Sequence, residues 1–350
     1  MEYTILGNSE IKVSRICMGG MSFGDPANGQ HTWTLNQDQT SEVIKTGLEN
    51  GITFFDTAAA YQNGTSEIYM GKALNENVKR DDIVVATKFL PRTQYEIDQK
   101  ITGQEHVENS LDASLKRLNM DYVDLYIYHM WDYRTPLEEI MEGLDNVVKK
   151  GKARAIGISN CYAYQMVKAN DFARANGLTP LTSMQSQYNL IYREDEREII
   201  PASMEEKIAL TPYSGLAAGR LAKHYDETSK RLREDEYNRI KYASTKDQDR
   251  LVIDRVMELA EKREVTMSEI SLAWLLSKTT APLVGMTKKK HVALANKATN
   301  LKLSDEEIYF LEEPYVPHKL TGVMSQNRPD ADPSTQVWMK TADQLEKIYH

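Results

Sequence analysis

Short runs of apolar and β-branched residues recur along the chain, separated by stretches in which apolar positions have a helical spacing. The helical pattern is clearest at residues 106–118 and 136–150, where apolar side chains lie three and four positions apart. Pro136 stands where a first helical turn tolerates proline, and Gly151 stands where a C-cap glycine belongs. The strand-like runs are residues 14–20, 52–57, 82–88, 122–129, 152–159, 181–187, 208–214 and 281–286.

Eight strands that alternate with helices, without a linker in mid-chain, predict an α/β fold of the (β/α)8 barrel (TIM barrel) type. Residues 3–14 predict a two-stranded hairpin that turns at Gly7–Asn8 and plugs the barrel ahead of its first strand. The alternative is a doubly wound open sheet. It is disfavoured because no G-x-G-x-x-G motif opens a helix after the first strand.

Composition narrows the function class. The net charge is −8, and acids and bases are interspersed along the chain. Binding to nucleic acid or to an anionic membrane needs a concentrated basic face, so we expect neither as a partner. The N-terminus has no apolar signal region, and no apolar run is long enough for a membrane helix, so we expect a soluble, cytoplasmic protein. The two cysteines predict free thiols, and the scattered histidines predict no metal site.

Polar and ionisable residues end most of the predicted strands. In a barrel of this type, the chemistry gathers at the C-terminal ends of the strands. We therefore expect one functional rim. The residues at these ends are Asp56, Lys88, His129, Ser159–Asn160, Gln185 and Tyr213.

These residue types suit proton transfer to a carbonyl oxygen. A lysine that ends an apolar strand needs a carboxylate partner, and Asp56 is the nearest choice for Lys88. If the hydroxyl of Tyr61 reaches that ammonium, we expect a lowered tyrosine pKa and a proton donor near neutral pH. His129 could orient the substrate oxygen. Each residue alone also has a structural interpretation; their occurrence at consecutive strand ends favours the functional one.

A hydride must then come from a nicotinamide, because none of these side chains supplies one. Ser159, Asn160 and Gln185 offer hydroxyl and amide groups that match a carboxamide. Tyr213 offers a flat ring on which a nicotinamide can stack.

Several long motifs occur in order over residues 2–322. They are GITFFDTAAAY, VVATK, YVDLYIYH, GKARAIGISN, SMQSQYNLIYRE and TPYSGLAAGRL. Through these motifs the chain resembles the aldo-keto reductases. Within that family the chain looks most similar to bacterial reductases of the deoxyxylulose-phosphate-synthase-like group, through HTWTL, HMWDYRTP, YNLIYRE and PYVPH. The resemblance implies a barrel over residues 1–322 and a C-terminal extension over residues 323–350.

The resemblance also implies a reductase that converts a small aldehyde or ketone to an alcohol. Tyr61 would be the general acid, Lys88 and Asp56 would tune it, and His129 would orient the carbonyl. NADPH is implied in preference to NADH, because the lysines at 288–290 suit a 2′-phosphate, although such a run is often only a solvated helix face. The implied cofactor contacts are Gly20, Met21, Asp56, Ser159, Asn160, Gln185, Tyr213, Ser214, Leu216, Gly219, Arg220, Gly285, Thr287, Lys288 and His291.

The chain departs from the family where an acid and an asparagine usually hold adenine. Leu294 and Ala295 stand there instead, with Asn296 displaced by one. The tail, with Trp338 as its expected anchor and a short helix predicted over 341–349, has no assigned role. Residues 223–242 predict either a loop over the cofactor or a plain surface helix.

Trp33, Trp131 and Tyr133 predict an aromatic-walled substrate pocket. The alternative function is a cofactor-binding sensor subunit with little turnover. A two-carboxylate glycosidase is disfavoured because no acid pair stands at the strand ends. The sequence does not indicate an oligomeric state.

Overall fold

The computed structural model describes residues 1–224, 233–235 and 241–329. The strands of this part are β1 (Tyr3–Ile5), β2 (Lys12–Ser14), β3 (Cys17–Gly19), β4 (Phe54–Asp56), β5 (Val84–Phe89), β6 (Val123–Tyr128), β7 (Ala153–Ser159), β8 (Leu181–Gln185), β9 (Ala209–Leu210) and β10 (Leu283–Gly285). Its helices are α1 (Gln37–Glu49), α2 (Thr65–Asn77), α3 (Gln94–Asp98), α4 (Gly103–Leu118), α5 (Leu137–Lys149), α6 (Ala163–Asn176), α7 (Ile199–Glu205), α8 (Lys246–Lys262), α9 (Met267–Lys278), α10 (Lys289–Asn300), α11 (Asp305–Glu312) and α12 (Val323–Gln326).

Strands β3 to β10 form one parallel sheet in the order β10-β3-β4-β5-β6-β7-β8-β9. The sheet curls so that its two ends approach each other, and the backbone N–H of Leu283 donates to the carbonyl of Pro212, just after β9, at 2.8 Å. The prediction of a (β/α)8 barrel is confirmed. Seven of the eight predicted runs contain one of these strands, and β5 extends one residue past the end of the run predicted at 82–88.

The hairpin of β1 and β2 blocks one end of the barrel, as predicted. Its turn packs closely against β8 and β9: Gly7 has φ +54°, and a Cβ there would lie 2.3 Å from the carbonyl oxygen of Thr182. The side chain of Asn8 donates to the carbonyl of Leu181 at 3.1 Å. Leu6, Ile11 and Val13 of this hairpin are buried with the side chains that fill the barrel interior.

Alternation along each strand decides which side chains enter the barrel. On β4, Phe54 packs with the interior cluster, whereas Phe55 packs outward with the helices. Because residues two apart share one face of a strand, Asp56 follows Phe54 on the inner side. An apolar strand therefore delivers a carboxylate to the mouth of the barrel.

The two helices predicted most clearly are present as α4 and α5. Thr102 caps α4 through a reciprocal box with Glu105, which satisfies backbone donors that the first turn leaves without partners. Pro136 occupies the N-cap of α5, one residue before the first turn in which we expected it. Gly151, at φ +73°, follows the end of that helix as predicted.

Two sequence predictions fall largely outside the described residues. Most of the 223–242 segment and the tail from residue 330, including Trp338 and the helix predicted over 341–349, belong to the part that is not described. The start of the extension is described: the side chain of Asn327 donates to the carbonyl of Trp131 at 2.7 Å. Within the described residues, no helix is both long and apolar enough to cross a bilayer.

Candidate functional site

The fold brings the strand-end residues to one rim. Asp56 ends β4, Ser159 ends β7 and Gln185 ends β8, while Lys88 lies one residue before the end of β5 and His129 follows β6. Because the strands are parallel and neighbouring in space, their C-terminal ends meet around the mouth of the barrel.

Lys88 is the centre of this arrangement. Its ammonium forms an ion pair with Asp56, donates to the carbonyl of Thr57 at 2.7 Å and donates to the hydroxyl of Tyr61 at 3.2 Å. The side chains of Lys88 and Asp56 are 0% and 1% exposed. Burial opposes the charge on Lys88, but the Asp56 carboxylate and the Tyr61 hydroxyl outweigh it, so the pKa of Lys88 lies above its usual value. The lysine is therefore held as a cation.

Our expectation of a lowered pKa for Tyr61 is wrong. Burial, the largest effect, raises the pKa of Tyr61 above its usual value of 10.0, and Lys88 only offsets part of the increase. The contact between the two residues is present as expected, but desolvation of the phenolate outweighs it. The phenol therefore keeps its proton at neutral pH, as a proton donor must.

His129 lies beside Tyr61, with ring centroids 5.8 Å apart and planes at 80°. Its backbone N–H donates to the carbonyl of Phe89 at 3.0 Å, which fixes the residue at the barrel mouth. Burial, and then the charge of Lys88, hold the pKa of His129 well below 6.5. Its Nδ1 is buried and has no hydrogen-bond partner among the described residues. The ring is thus neutral at pH 7, with one nitrogen protonated and able to donate.

The amide side chains on the next strands are partly engaged within the protein. Gln185 donates to Asp56 Oδ2 at 3.1 Å. Asn160, at φ +50°, donates to the carbonyl of His129 at 2.9 Å and accepts from the hydroxyl of Tyr213 at 2.7 Å. These bonds fix the orientation of the Tyr213 ring at the edge of the site, because its hydroxyl is tied to a residue that is itself anchored.

A cavity of about 740 Å³ joins these residues to the basic segment after β10. Many of the residues predicted to bind a cofactor or substrate line it. They are Met21, Trp33, Asp56, Tyr61, His129, Ser159, Asn160, Gln185, Tyr213, Ser214, Leu216, Gly219, Gly285, Thr287, Lys288 and His291. We call Asp56, Tyr61, Lys88 and His129 the Tyr61 cluster. All members of this cluster except Lys88 border the same continuous space as the basic residues Lys288 and His291.

Four predicted contact residues do not line this cavity. Gly20 packs against β4, where a Cβ would lie 2.9 Å from the carbonyl oxygen of Asp56. The guanidinium of Arg220 lies over the ring of Tyr242 at 4.7 Å. Trp131 is partly buried against the core.

Tyr133, the fourth of these residues, packs beside α6, where its hydroxyl accepts from Gln165 at 3.1 Å. The prediction of a substrate wall made by Trp131 and Tyr133 is thus not supported by the cavity lining. Loop residues can point away from the site even when strand ends next to them point into it.

Other lining residues were missed by the sequence analysis. Leu90 and Met130 follow the strand-end residues Lys88 and His129 by two and one positions, and this proximity was a usable signal. The remaining ones come from loops and from the C-terminal segment, where no periodicity marks them. They include Gln30, His31, Gln62, Val323 and Gln326.

The three consecutive lysines divide into two groups. Lys288 and Lys290 line the cavity, whereas Lys289 is 63% exposed and pairs with Glu42 at 2.8 Å. His291 also lines the cavity; burial and then the charges of Lys290, Lys288 and Lys223 lower its pKa below 6.5. This end of the cavity is therefore suited to an anion.

The departure from the family's adenine-binding pattern is visible at α10. Leu294 lines the cavity with an apolar side chain, and Ala295 is fully buried. The Oδ1 of Asn296 is buried without a hydrogen-bond partner among the described residues, but Asn296 does not line the cavity. In the described part of the chain, no cluster of three or more histidine, cysteine or carboxylate side chains could hold a metal.

Comparison with known proteins agrees with this geometry. The sequence profile of the aldo/keto reductase family matches residues 15–315. The chain is 37% identical to versiconal hemiacetal acetate reductase of Aspergillus parasiticus, covering 91% of this chain and 98% of that protein. It is 33% identical to an aryl-alcohol dehydrogenase of Pestalotiopsis microspora, covering 90% of this chain and 83% of that protein.

A solved structure shows the same likeness. The crystal structure of a thermostable aldo-keto reductase in complex with the inhibitor epalrestat matches with a TM-score of 0.71 and 26% identity, covering 90% of this chain and 100% of that one. The barrel, the residues gathered at its mouth and these similarities lead to one assignment: the chain belongs to the aldo/keto reductase family of oxidoreductases, which act on small-molecule carbonyl compounds.

Proposed function

We propose that this chain is an NADPH-dependent reductase that converts an aldehyde or ketone to an alcohol, with Tyr61 as the proton donor. The observation that carries the proposal is the 3.2 Å contact between the Tyr61 hydroxyl and the ammonium of Lys88, on the wall of a cavity that His129 also lines. A protonated phenol beside a buried cation can give up its proton and remain stabilised as a phenolate.

The residues along the cavity fit a nicotinamide dinucleotide. Ser159, Gln185 and the Tyr213 ring offer polar groups and a flat surface beside Tyr61, and Lys288 and Lys290 offer cations for a phosphate. A bound NADPH would supply a hydride to the carbonyl carbon. The cations support NADPH in preference to NADH, because only the former carries a 2′-phosphate.

Each member of the Tyr61 cluster then has a role that its surroundings support. Tyr61 donates its proton to the carbonyl oxygen as negative charge develops there. Lys88, held as a cation by Asp56, stabilises the phenolate that remains. Neutral His129 donates a hydrogen bond to the same carbonyl oxygen and so orients it.

The substrate we propose is an aromatic aldehyde or ketone. Leu90, Met130 and Val323 form an apolar wall close to Tyr61, and Trp33 adds an aromatic surface. The name of the aryl-alcohol dehydrogenase relative points to the same class. We also propose that the chain belongs with the deoxyxylulose-phosphate-synthase-like branch of the family, on the motifs HTWTL, HMWDYRTP, YNLIYRE and PYVPH.

The test is NADPH oxidation in the presence of an aromatic aldehyde, followed by the loss of NADPH absorbance. Tyr61→Phe removes only the hydroxyl, and we expect kcat to fall at least about 100-fold, since a positioned general acid contributes about that much or more. The dissociation constant of NADPH should stay unchanged. Tyr95→Phe, at a side chain that is 47% exposed and outside the cavity, is the matched control.

Two results would contradict the proposal. Full activity of Tyr61→Phe would remove Tyr61 from the role of proton donor. Tight NADPH binding by the parent protein without turnover of any carbonyl would favour the alternative, a cofactor-binding sensor subunit.

A further inference from the structure

Gln62, the residue after Tyr61, has a left-handed backbone conformation, which residues other than glycine rarely adopt. Residues Tyr61–Gly64 form a tight turn in which Gln62 has φ 48° and ψ 47°, and Asn63 has φ 50° and ψ 45°. Left-handed backbone is strained for residues other than glycine and persists where surrounding contacts impose it. Here the turn directs the side chain of Gln62 into the loop formed by residues 24–35.

The carboxamide of Gln62 is bonded to the backbone of the 24–35 loop at both of its ends. Its Nε2 donates to the carbonyls of Asp25 at 2.7 Å and His31 at 3.0 Å. Its Oε1 accepts from the backbone N–H of His31 at 2.9 Å. Gln62 is 2% exposed, so these bonds have little competition from solvent.

Two glycines allow the loop to close around this side chain. Gly24 has φ +119°, and a Cβ there would lie 2.7 Å from the Cβ of Gln62. Gly29 has φ +139°, and a Cβ there would lie 2.7 Å from both the Cα and the Oε1 of Gln62. The backbone of the loop therefore fits tightly around Gln62.

The loop that Gln62 holds is also a wall of the cavity. Gln30, His31, Trp33 and Leu35 line it, and the rings of His31 and Trp33 lie 4.8 Å apart. The position of these loop side chains in the cavity wall thus depends on Gln62, which follows Tyr61 directly in the sequence.

We infer that Gln62 is a positioning residue that fixes the 24–35 wall of the substrate pocket relative to Tyr61, and so sets the affinity for carbonyl substrates that carry an aromatic ring. The inference rests on the proposed function of the same site. It assigns Gln62 no contact with the reacting atoms. Its effect reaches the substrate through the backbone of residues 25 and 31.

Two substitutions distinguish the role of the carboxamide oxygen from that of its nitrogen. Gln62→Ala removes the three bonds to the loop backbone and a longer donation from Nε2 to the hydroxyl of Thr34 at 3.4 Å. Gln62→Glu keeps an acceptor for the N–H of His31 but places a carboxylate against the carbonyls of Asp25 and His31, which repel it. Asn63→Ala is the control, because Asn63 contacts the same loop through the side chain of Asn28, which does not line the cavity.

For Gln62→Ala we expect the KM for a ring-bearing aldehyde such as benzaldehyde to rise about tenfold or more, as loss of several hydrogen bonds implies. The KM for propanal, the kcat values and the NADPH dissociation constant should change less than about threefold. Gln62→Glu should show the same rise in KM at high pH and lose part of it as the pH falls, since a protonated carboxyl can donate to one of the two carbonyls.

Hydrogen–deuterium exchange provides a readout that does not require turnover. The N–H of His31 should exchange about tenfold faster in Gln62→Ala and stay protected in Gln62→Glu and Asn63→Ala. Unchanged exchange in Gln62→Ala overturns the inference, as does an equal loss of kcat on benzaldehyde and propanal. If the parent protein reduces no carbonyl, the proposed function fails, while the exchange result still decides whether Gln62 holds the loop.

Discussion

The buried ion pair between Lys88 and Asp56 yields the sharpest test of the site's energetics. Lys88→Met removes the ammonium while keeping an unbranched apolar side chain. The carboxylate of Asp56 would keep one hydrogen bond, from Gln185, and would lose its counter-charge. Removing one partner of a buried pair costs about 3–5 kcal/mol, because the remaining charge stays desolvated. We expect a loss of that size in the free energy of unfolding.

A double substitution isolates the electrostatic part. In Lys88→Met/Asp56→Asn no charge remains, and the main residual loss is the bond to the carbonyl of Thr57. That loss should be about 1–3 kcal/mol, so the double variant should be more stable than Lys88→Met alone. The measurement is urea unfolding followed by circular dichroism, with the four proteins of the cycle compared at one pH.

The pH dependence gives an independent check on Lys88→Met. Burial already raises the pKa of the Asp56 carboxyl with Lys88 beside it, because it outweighs the lysine and the bond from Gln185. Without the lysine this pKa should rise further above its unfolded value of about 3.9. A group with a raised folded pKa favours folding at low pH, and this contribution is lost as the pH rises through the folded value. The deficit of Lys88→Met should therefore shrink on acidification. A pH-independent loss below about 1 kcal/mol would refute a desolvated charge at this position.

Two further expectations concern the basic end of the cavity and the cysteines. Lys290→Ala should weaken NADPH binding about tenfold or more while NADH binding changes little, whereas Lys289→Ala should leave both unchanged because that side chain pairs with Glu42 outside the cavity. A 2′-phosphate beside His291 should raise its lowered pKa, so the preference for NADPH should grow as the pH falls from about 8 to about 6; a titration monitored by fluorescence would show it, and a flat profile would count against this site. Cys161 is buried and its pKa is raised by that burial, so a thiol reagent should label it only after unfolding, and fast labelling of the native protein would contradict its buried position.

The strand ends were predictable because strand periodicity determines both where an element stops and which side its residues face. Phe54 and Asp56 share one side of β4 for that reason alone, and the same argument places Lys88 and His129 at the rim. The hairpin plug was equally readable from alternating residues and a Gly7–Asn8 turn. These features depend on the local order of residues, so the sequence alone predicts them.

The remaining features depend on quantities that a sequence does not contain. The direction of the pKa shift of Tyr61 depends on the balance between burial and one cation, and that balance appears only once the side chains are placed. Trp131 and Tyr133 lie in a loop whose path no periodicity determines. Gln62 holds a loop because its backbone is left-handed, and a glutamine in the sequence does not predict that conformation.

The hairpin at the base of the barrel limits how substrate can enter the site and how product can leave it. Leu6, Ile11 and Val13 fill that end together with interior side chains such as Phe54 and Leu125, so a molecule that reaches Tyr61 has no passage along the barrel axis. Substrate and product then both pass through the mouth of the barrel, which loops surround. An alcohol product must leave by the route along which the next carbonyl arrives. The barrel is a dead-end chamber rather than a tunnel, and crowding at its mouth would slow the exchange of product for substrate.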